Sequence, residues 1–396
     1  AEGRKLTCFD GAPVCSPTRA ALMTGCYPKR SLPIPHVLFP GNDVGLDPRE
    51  VTVAELLKEL GYVTGIIGKW HLGDQPEFLP TRQGFDSFFG LPYSNDMGPA
   101  EDGVKSNLGA PLPKNKAKGK GQPPLPWLRN ETVVKRVLAD DQTTLVARYT
   151  EEAVEFIKKN KDKTFFLYLP HSAVHFPIYP GKAFQGKSNN GIYGDWVEEV
   201  DWSVGQVLDT VRQLKLDRNT LVMFTSDNGG TQRAVNAPLR GFKGSTWEGG
   251  MREPTIAWWP GKIPAGTSTD AVTGMIDILP TLVRLAGGQP PADRKIDGGD
   301  IWPLLAGEPD AKTGGRGLER PRVDGACSGT DVAARQRLPT GSVAHRPSRP
   351  HARQEDGRLA SRCGGRRFRG DGRCRDLRSD RCPGRLSRRV EDCHRG

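Results

Sequence analysis

The chain has 396 residues, which is enough to bury a large core in one large domain or two smaller ones. Its formal net charge of +11 comes almost entirely from residues 321–396, where 19 Arg, no Lys and 9 acidic residues give +10 and leave +1 for the remainder. A nearly neutral body argues against a broad nucleic-acid-binding surface. No run reaches the roughly 18 apolar residues of a membrane-spanning helix. We therefore expect neither a nucleic-acid partner nor a membrane span.

Apolar periodicity predicts helices that alternate with short apolar strands along the body of the chain. The predicted helices cover residues 49–60, 142–159, 197–214 and 276–286, and the predicted strands cover residues 62–68, 164–169 and 220–226. This alternation indicates an α/β fold in which helices cover both faces of a sheet. Functional side chains are then expected where the strands end.

Residues 101–131 interrupt this alternation. The centre of the segment, residues 114–124, is rich in Lys, Gly and Pro and offers no core residues, so it is interpreted as an exposed loop insertion. A solvated excursion is favoured over specific polyanion binding. If the loop borders a site, its lysines would attract anionic substrates.

A cysteine precedes the first helical run. Residues 13–25 read PVCSPTRAALMTG, and Pro17 suits a first helical turn, so Cys15 is predicted to lie just ahead of a helix N-terminus. The backbone N–H groups and dipole at such a terminus favour an anion, and Arg19 adds a cation one turn later. The alternative interpretation is a small buried cysteine that only packs.

Basic and imidazole side chains follow two of the predicted strands. Lys69 and His71 end the run GYVTGIIGKWHL and, in an extended chain, would project to the same side. His171 and His175 follow strand 164–169, and His171 is interpreted as structural. A lysine and an imidazole together can hold an anionic oxygen and transfer a proton.

Two further segments carry polar side chains after apolar runs. Residues 224–230 read FTSDNGG, where Asp227 and Asn228 offer hard oxygen ligands of the kind that calcium prefers, although Asp-Asn-Gly alone is typical of a turn. Residues 241–254 contain Lys243 among glycines that permit close backbone approach. Glu248 and Arg252 in the same segment are expected to form a structural ion pair.

These segments together resemble the sulfatase family, in particular arylsulfatase A-like and N-acetylgalactosamine-6-sulfatase-like members, over residues 6 to about 310. The resemblance implies an alkaline-phosphatase-like fold and hydrolysis of a sulfate monoester in a small molecule or glycan. It also implies that a formylglycine-generating enzyme oxidises Cys15 to an aldehyde, whose hydrate attacks sulfur. The sulfated intermediate then loses sulfate and restores the aldehyde. Members of the family are often exported, to a periplasmic, extracellular or lysosomal location.

The resemblance also implies roles for individual residues, most of them in segments already described. Ser94, in the short run GLPYSND, matches a family position that contacts the sulfate. The implied ligands of a calcium ion, or of magnesium in its place, are Asp227 and Asn228. The implied catalytic residues are Cys15, Arg19, Lys69, His71, His175 and Lys243, of which Lys69, His175 and Lys243 also bind the substrate with Ser94.

Two departures from the family pattern concern the ends of the chain. Family members open with a strand ending in paired Asp residues that complete the metal site, but only Glu2 and Asp10 are acidic before Cys15. We therefore expect residues 1–312 to form a catalytic domain that lacks this first strand. Residues 313–396 are rich in Arg, Gly and Cys and do not resemble the family's C-terminal antiparallel subdomain, so they are interpreted as a disordered or frameshifted tail.

Three functions remain open from the sequence. A sulfatase is the favoured hypothesis. A phosphate or phosphonate ester hydrolase of the same superfamily would share most of these residues. A catalytically inactive fragment, or a remnant that binds polyanions through the basic tail, would show salt-sensitive binding without turnover.

Overall fold

A computed structural model describes residues 2–111, 119–309 and 311. The predictions made for the tail, residues 313–396, and for residues 114–118 of the basic run fall outside these residues. Within the described part of the chain, no helix is both long enough and apolar enough to cross a bilayer.

The described residues form short strands and helices in mixed order. The strands are β1 (Arg4–Asp10), β2 (Val63–Lys69), β3 (Ser87–Leu91), β4 (Pro126–Arg129), β5 (Thr132–Arg136), β6 (Phe165–Tyr168), β7 (Val222–Phe224), β8 (Arg252–Trp258), β9 (Thr267–Thr269) and β10 (Thr273–Gly274). The helices are α1 (Cys15–Thr24), α2 (Pro28–Ser31), α3 (Val53–Glu59), α4 (Ala139–Gln142), α5 (Leu145–Lys159), α6 (Gly191–Gln213), α7 (Glu248–Met251), α8 (Ile278–Leu285) and α9 (Trp302–Ala306).

These strands build two mixed sheets. One sheet has the order β5-β4-β3-β2-β6, in which β2 is parallel to β3 and to β6. The other has the order β10-β1-β8-β7, with β9 also paired to β1. Because β2, β6 and β7 each end beside a polar segment, the strand order determines which side chains meet.

All the predicted helices and strands are confirmed, with shifted ends. Helix α3 begins four residues later than predicted because Thr52 caps it: the Glu55 N–H donates to Thr52 Oγ1 at 3.2 Å and the Glu55 carboxylate accepts from the Thr52 N–H at 2.7 Å. Gly61 follows the helix with φ of 86°, a left-handed conformation that suits glycine.

The segment 101–131 is only partly an exposed loop. Val104, Leu125 and Trp127 are buried with Tyr149 in one apolar cluster, and residues 126–129 form β4. The prediction of no core residues concerned residues 114–124 alone, and all three of these buried residues lie outside that run. Its flanks are apolar enough to pack against the sheet and α5.

Helix α5 illustrates how an apolar stripe positions a sheet. Leu145, Tyr149, Ala153 and Ile157 recur at intervals of four residues and are all buried. The stripe covers the sheet that contains β2 and β3. Packing of α5 against one face of the sheet therefore holds the ends of those strands in place. This packing fixes the position of the polar residues that follow them.

Strand β1 was not predicted from the sequence. Its short alternation of buried and exposed residues is weak, and it forms because β8 pairs with it antiparallel, with Phe9 opposite Glu253. Phe9 and Met23 are fully buried in the largest apolar cluster. β1 thereby anchors the segment that leads into α1 and Cys15.

Glu199 on α6 is a buried carboxyl remote from the polar strand ends. It is 2% exposed and accepts the Gly181 N–H at 2.7 Å, and burial raises its pKa to about 7. A raised carboxyl pKa favours folding at low pH, and that contribution is lost as pH rises from about 4.5 to about 7.

Replacing Glu199 with Gln should therefore stabilise the protein above pH 7 and not at pH 5. The amide oxygen still accepts the Gly181 N–H, but no charge is buried. We expect the melting temperature of Glu199→Gln to exceed that of the wild type by about 2 °C at pH 8, measured by circular dichroism. An equal difference at both pH values would contradict the prediction.

Candidate active site

Four segments bring polar side chains together around Cys15. α1 begins at Cys15, β2 ends at Lys69, β6 leads to His175 and β7 leads to Asp227. Each of these segments follows or begins a regular element, so its backbone is held by the sheets and α1. Lys243 also contacts Cys15 and lies on the segment between β7 and α7, so the site combines side chains at the ends of regular elements with one from a connecting segment.

Cys15 is 1% exposed and occupies the first turn of α1 rather than the residue before it. Lys243 Nζ lies 3.3 Å from its Sγ, and Asn228 Oδ1 lies 3.3 Å from the same atom. The segment is held by Thr18, whose Oγ1 accepts the Ala12 N–H at 2.7 Å. The thiol thus meets a cation, an amide and a helix N-terminus at once.

The Arg19 side chain is fully engaged in hydrogen bonds near Cys15. Its Nε and Nη2 donate to Asp227 Oδ2 at 3.0 and 2.8 Å, and its Nη1 donates to the Lys69 carbonyl. One side chain therefore joins α1, the segment after β7 and the end of β2. Arg19 acts on the site by fixing these three segments as well as by its charge.

Lys69, Ser94 and His175 form a chain of hydrogen bonds. Lys69 Nζ donates to Ser94 Oγ at 3.3 Å, and Ser94 Oγ lies 3.2 Å from His175 Nδ1. The same Nδ1 lies 2.6 Å from the Phe176 carbonyl. Because a carbonyl oxygen can only accept, Nδ1 carries the proton and Nε2 carries the lone pair of the neutral ring.

His71 reaches the site by a different route from the predicted one. The argument from an extended chain was wrong, because β2 ends at Lys69 and His71 has φ of 65°, in the left-handed region. His71 Nε2 bonds the Leu38 carbonyl at 3.0 Å, and Nδ1 has no hydrogen-bond partner among the described residues. Burial and the charges of Lys69 and Arg19 lower its pKa well below the usual range.

The charges of the site are strongly coupled. Burial lowers the pKa of Lys69, whereas the pKa of Lys243 is raised because Cys15 and Asp227 outweigh its burial. Burial alone would raise the pKa of Asp227, but Arg19, Lys69 and Lys243 hold it well below its usual range. Arg19, Lys69 and Lys243 are therefore three cations against the carboxylates of Asp227 and Asp96, which leaves a net positive site.

His175 is neutral in this environment. Burial, together with the positive charges of Lys69 and Lys243, lowers its pKa to about 3. Asp96 Oδ1 is 3.8 Å from Nδ1 and partly opposes that shift. A negative group placed beside the ring would raise the pKa again.

Two of the residues named from the sequence make their side-chain hydrogen bonds to groups outside this cluster. His171 Nε2 bonds Ser203 Oγ on α6 at 3.1 Å, in keeping with a structural role. Arg252 donates to Glu248 at 2.7 Å, so the expected ion pair is present.

Sequence reasoning missed Asp96 and Glu253. Asp96 stands two residues after Ser94, and only the tertiary structure brings it to His175. Glu253 on β8 is 3% exposed, and burial with the negative charges of Asp227 and Asp10 raises its pKa to about 8. The apolar context of β8 gave no signal that its one acidic residue would face the site.

The donor chemistry near Cys15 partly fits a hard cation. Asp227 and Asn228 supply side-chain oxygens, and Glu253 Oε1 is buried without a hydrogen-bond partner among the described residues. Calcium takes about six to eight oxygen ligands. Within the described ranges, no three His, Cys, Asp or Glu side chains are grouped closely enough to hold a metal by themselves. Asp227 and Asn228 would therefore supply part of a coordination shell.

The mixed sheets with flanking helices agree with an alkaline-phosphatase-like fold. The sulfatase family model matches residues 7–288. N-acetylgalactosamine-6-sulfatase from Canis lupus familiaris is 39% identical over 330 residues, covering 78% of this chain and 60% of that protein. Arylsulfatase A from Homo sapiens is 41% identical over 306 residues, covering 74% of this chain and 59% of that protein.

A solved structure agrees with these matches. Ps i-CgsB in complex with k-i-k-neocarrahexaose has 31% sequence identity and a TM-score of 0.64, covering 76% of this chain and 68% of that one. The chain belongs to the sulfatase family. It spans about 60% of the length of the two curated relatives described above.

The Arg19–Asp227 pair should be far more important for stability than an exposed pair of the same type. Its side chains are 6% and 23% exposed, against 90% and 38% for Arg49 and Asp47. Removing one partner of a buried pair leaves the other charge buried without a counter-ion. We expect Arg19→Ala to lower the free energy of unfolding by about 3–5 kcal/mol.

Arg49→Ala is the matched control, with an expected loss of about 0–1 kcal/mol, since solvent screens that pair. Urea denaturation followed by fluorescence measures both values. Equal small losses in the two variants would show that Asp227 is compensated by its other cations alone.

Proposed function

We propose that this chain hydrolyses sulfate monoesters, with a sulfated carbohydrate or small molecule as substrate and Cys15 as the site of the nucleophile. The observation that carries the proposal is the contact of Cys15 Sγ with both Lys243 Nζ and Asn228 Oδ1, each at 3.3 Å. A buried, net positive pocket at a helix N-terminus suits a tetrahedral anion. The family match and the named relatives support sulfate as that anion.

The proposed sulfate site uses side chains from several strand ends. Lys243 and Lys69 bind sulfate oxygens as point charges, and Ser94 shares the Lys69 ammonium. Arg19 holds Asp227 and the end of β2 in register, so it positions the pocket and contributes charge. These groups neutralise the charge that builds up on the sulfuryl oxygens and the leaving oxygen during displacement.

The nucleophile requires modification of Cys15. After oxidation by a formylglycine-generating enzyme, the hydrated aldehyde supplies a hydroxyl nucleophile and a second hydroxyl whose deprotonation expels sulfate. The chain's own groups around this position are Lys243 and Asn228. They hold the nucleophile against the sulfur and exclude competing orientations.

His175 is proposed as the general acid that protonates the leaving oxygen. Its Nδ1 proton is occupied by the Phe176 carbonyl and Ser94, so the substrate meets Nε2. In the empty site the neutral ring can only accept there. The negative charge of a bound sulfate raises the pKa of His175, and the resulting imidazolium can donate a proton to the departing alcohol.

Oxidation of Cys15 and sulfate turnover test this function directly. We expect the tryptic peptide containing Cys15 to show conversion of the thiol to an aldehyde after co-expression with a formylglycine-generating enzyme. The converted protein should hydrolyse nitrophenyl sulfate faster than nitrophenyl phosphate. Lys243→Ala should lower kcat by about 100- to 1,000-fold, since it removes a charge aimed at the reacting group.

Lys262→Ala is the control for this measurement, because Lys262 lies over the Trp259 ring at 4.3 Å and is not part of the site. A thiol that stays unmodified, or a converted protein that prefers the phosphate ester, would refute the proposed function. Equal losses in the two lysine variants would remove Lys243 from the sulfate site.

We also propose Asp227 and Asn228 as ligands of a calcium or magnesium ion. When bound, such an ion supplies Lewis-acid polarisation of the sulfate. The proposal rests on the hard oxygens of the two side chains and on the position of Asn228 beside Cys15.

Metal binding should appear as a calcium-dependent rise in melting temperature. Ligand binding to the folded state alone stabilises it by mass action. We expect a rise of a few degrees in millimolar calcium for the wild type, and none for Asp227→Asn or Asn228→Ala. Asn228→Ala is needed because it leaves the Arg19 pair intact. Asp47→Asn is the surface control, and an unchanged rise in all variants would contradict the assignment.

A further inference from the structure

A cavity of about 320 Å³ opens beside Lys243 and is not accounted for by the sulfate site. It is lined by Thr231, Gln232, Arg233, Phe242 and Lys243. Pockets that bind small ligands occupy roughly 300–1,000 Å³, so the cavity is large enough to hold part of a ligand. Lys243 lines the cavity and also contacts Cys15 Sγ, so the cavity and the sulfate site share this residue.

The cavity lies on the side where the substrate's alcohol portion leaves. Arg233 Cζ stands 5.0 Å from the centroid of the Phe176 ring, and Phe176 follows His175, the group proposed to serve the leaving oxygen. Displacement at sulfur places the leaving oxygen opposite the nucleophile. A group still attached to that oxygen would therefore extend past His175 towards Arg233.

Arg233 is a cation without an acidic partner among the described residues. Its guanidinium forms no ion pair with the described residues and lies over the Phe176 ring, and its backbone N–H donates to Thr231 Oγ1. Most other arginines near the site are engaged, as Arg19 and Arg252 show. A guanidinium fixed over a ring and facing a cavity keeps its donors available for a carboxylate or sulfate.

Phe242 gives the cavity an apolar wall. Its side chain is 40% exposed, and its backbone N–H donates to Ser245 Oγ at 3.2 Å. An exposed aromatic ring at the edge of a polar cavity offers a flat surface to the C–H face of a sugar ring. The cavity thus combines an apolar platform with one unpaired cation.

We propose that Arg233 and Phe242 form a subsite for the leaving portion of the substrate, in which Phe242 supports a sugar ring and Arg233 binds a second anionic group on it. The preferred substrate is then an acidic carbohydrate with at least one sulfate or carboxylate besides the sulfate that is cleaved. This inference rests on the proposed function, since it places the scissile sulfate at Lys243.

Binding measurements test the subsite without turnover. Isothermal titration calorimetry on the Cys15→Ala variant would use three probes: N-acetylgalactosamine with one sulfate, the same sugar with two sulfates, and a monosulfated disaccharide that adds a hexuronate. We expect one or both of the doubly charged probes to bind about tenfold more tightly than the first, and the stronger of the two identifies the second anion. Arg233→Gln should remove that gain, and Arg233→Lys should restore part of it.

Arg240→Gln is the matched control. Arg240 stands 3.7 Å from the centroid of the Trp247 ring, belongs to the same loop and has no acidic partner within the described residues, but it does not line the cavity. It should keep the gain, whereas a general effect of positive charge would reduce it equally. Melting temperatures of the variants should match within about a degree, which separates binding from folding.

The outcomes separate this inference from the proposed function. A singly sulfated probe whose binding is lost in Lys243→Ala supports the sulfate site. With that binding present, equal affinities for all three probes, or a gain that survives Arg233→Gln, would overturn the Arg233 subsite alone. If the singly sulfated probe does not bind, or binds independently of Lys243, both proposals fail.

Discussion

The structure of the site depends on one carboxylate among several cations. Asp227 is shared by Arg19, Lys69 and Lys243 through charge, and by Arg19 through two hydrogen bonds. In a buried, low-dielectric environment three cations without an anion would repel one another strongly. Asp227 makes their proximity tolerable, and the carbonyl of Lys69 ties Arg19 to β2. The pocket keeps a net positive charge, which an incoming anion can neutralise.

In this charge arrangement, each strand end contributes one functional side chain. The end of β2 supplies a lysine, the segment after β6 supplies an imidazole, and the segment after β7 supplies the carboxylate. α1 contributes both the cysteine and the arginine that braces the carboxylate. Regular elements set the positions of Lys69 and Arg19, whereas Lys243 and His175 lie on connecting segments. Specificity can then be set elsewhere, and the loop that contains Arg233 and Phe242 is where the cavity opens.

The neutral state of His175 follows from the same field. Positive neighbours and burial keep the ring uncharged, so the proposed proton donation would follow the entry of the anionic substrate. The hydrogen bond from Nδ1 to the Phe176 carbonyl fixes the ring and leaves Nε2 as the nitrogen for the proposed substrate contact. Phe176 also carries Arg233 over its ring, so the proton donor and the proposed second anion site share one structural support.

The sequence by itself determined the alternation of helices and strands and the residue types of the site, because periodicity, caps and glycines act locally. It identified Cys15, Lys69 and Lys243 in three separate segments, and the structure brings these together. Strand β1 needed β8 as a partner, so no local pattern could reveal it. Likewise, the left-handed backbone of His71 could not be read from the residues around it.

Only the tertiary structure decided which polar groups pair and which stay unpaired. The bond from Arg19 to Asp227 joins residues more than 200 positions apart, and the approach of Asp96 to His175 depends on two loops meeting. The exposure of Arg233 beside a cavity is equally a matter of what surrounds it. Such facts depend on distances between segments distant in sequence, which composition and periodicity do not encode.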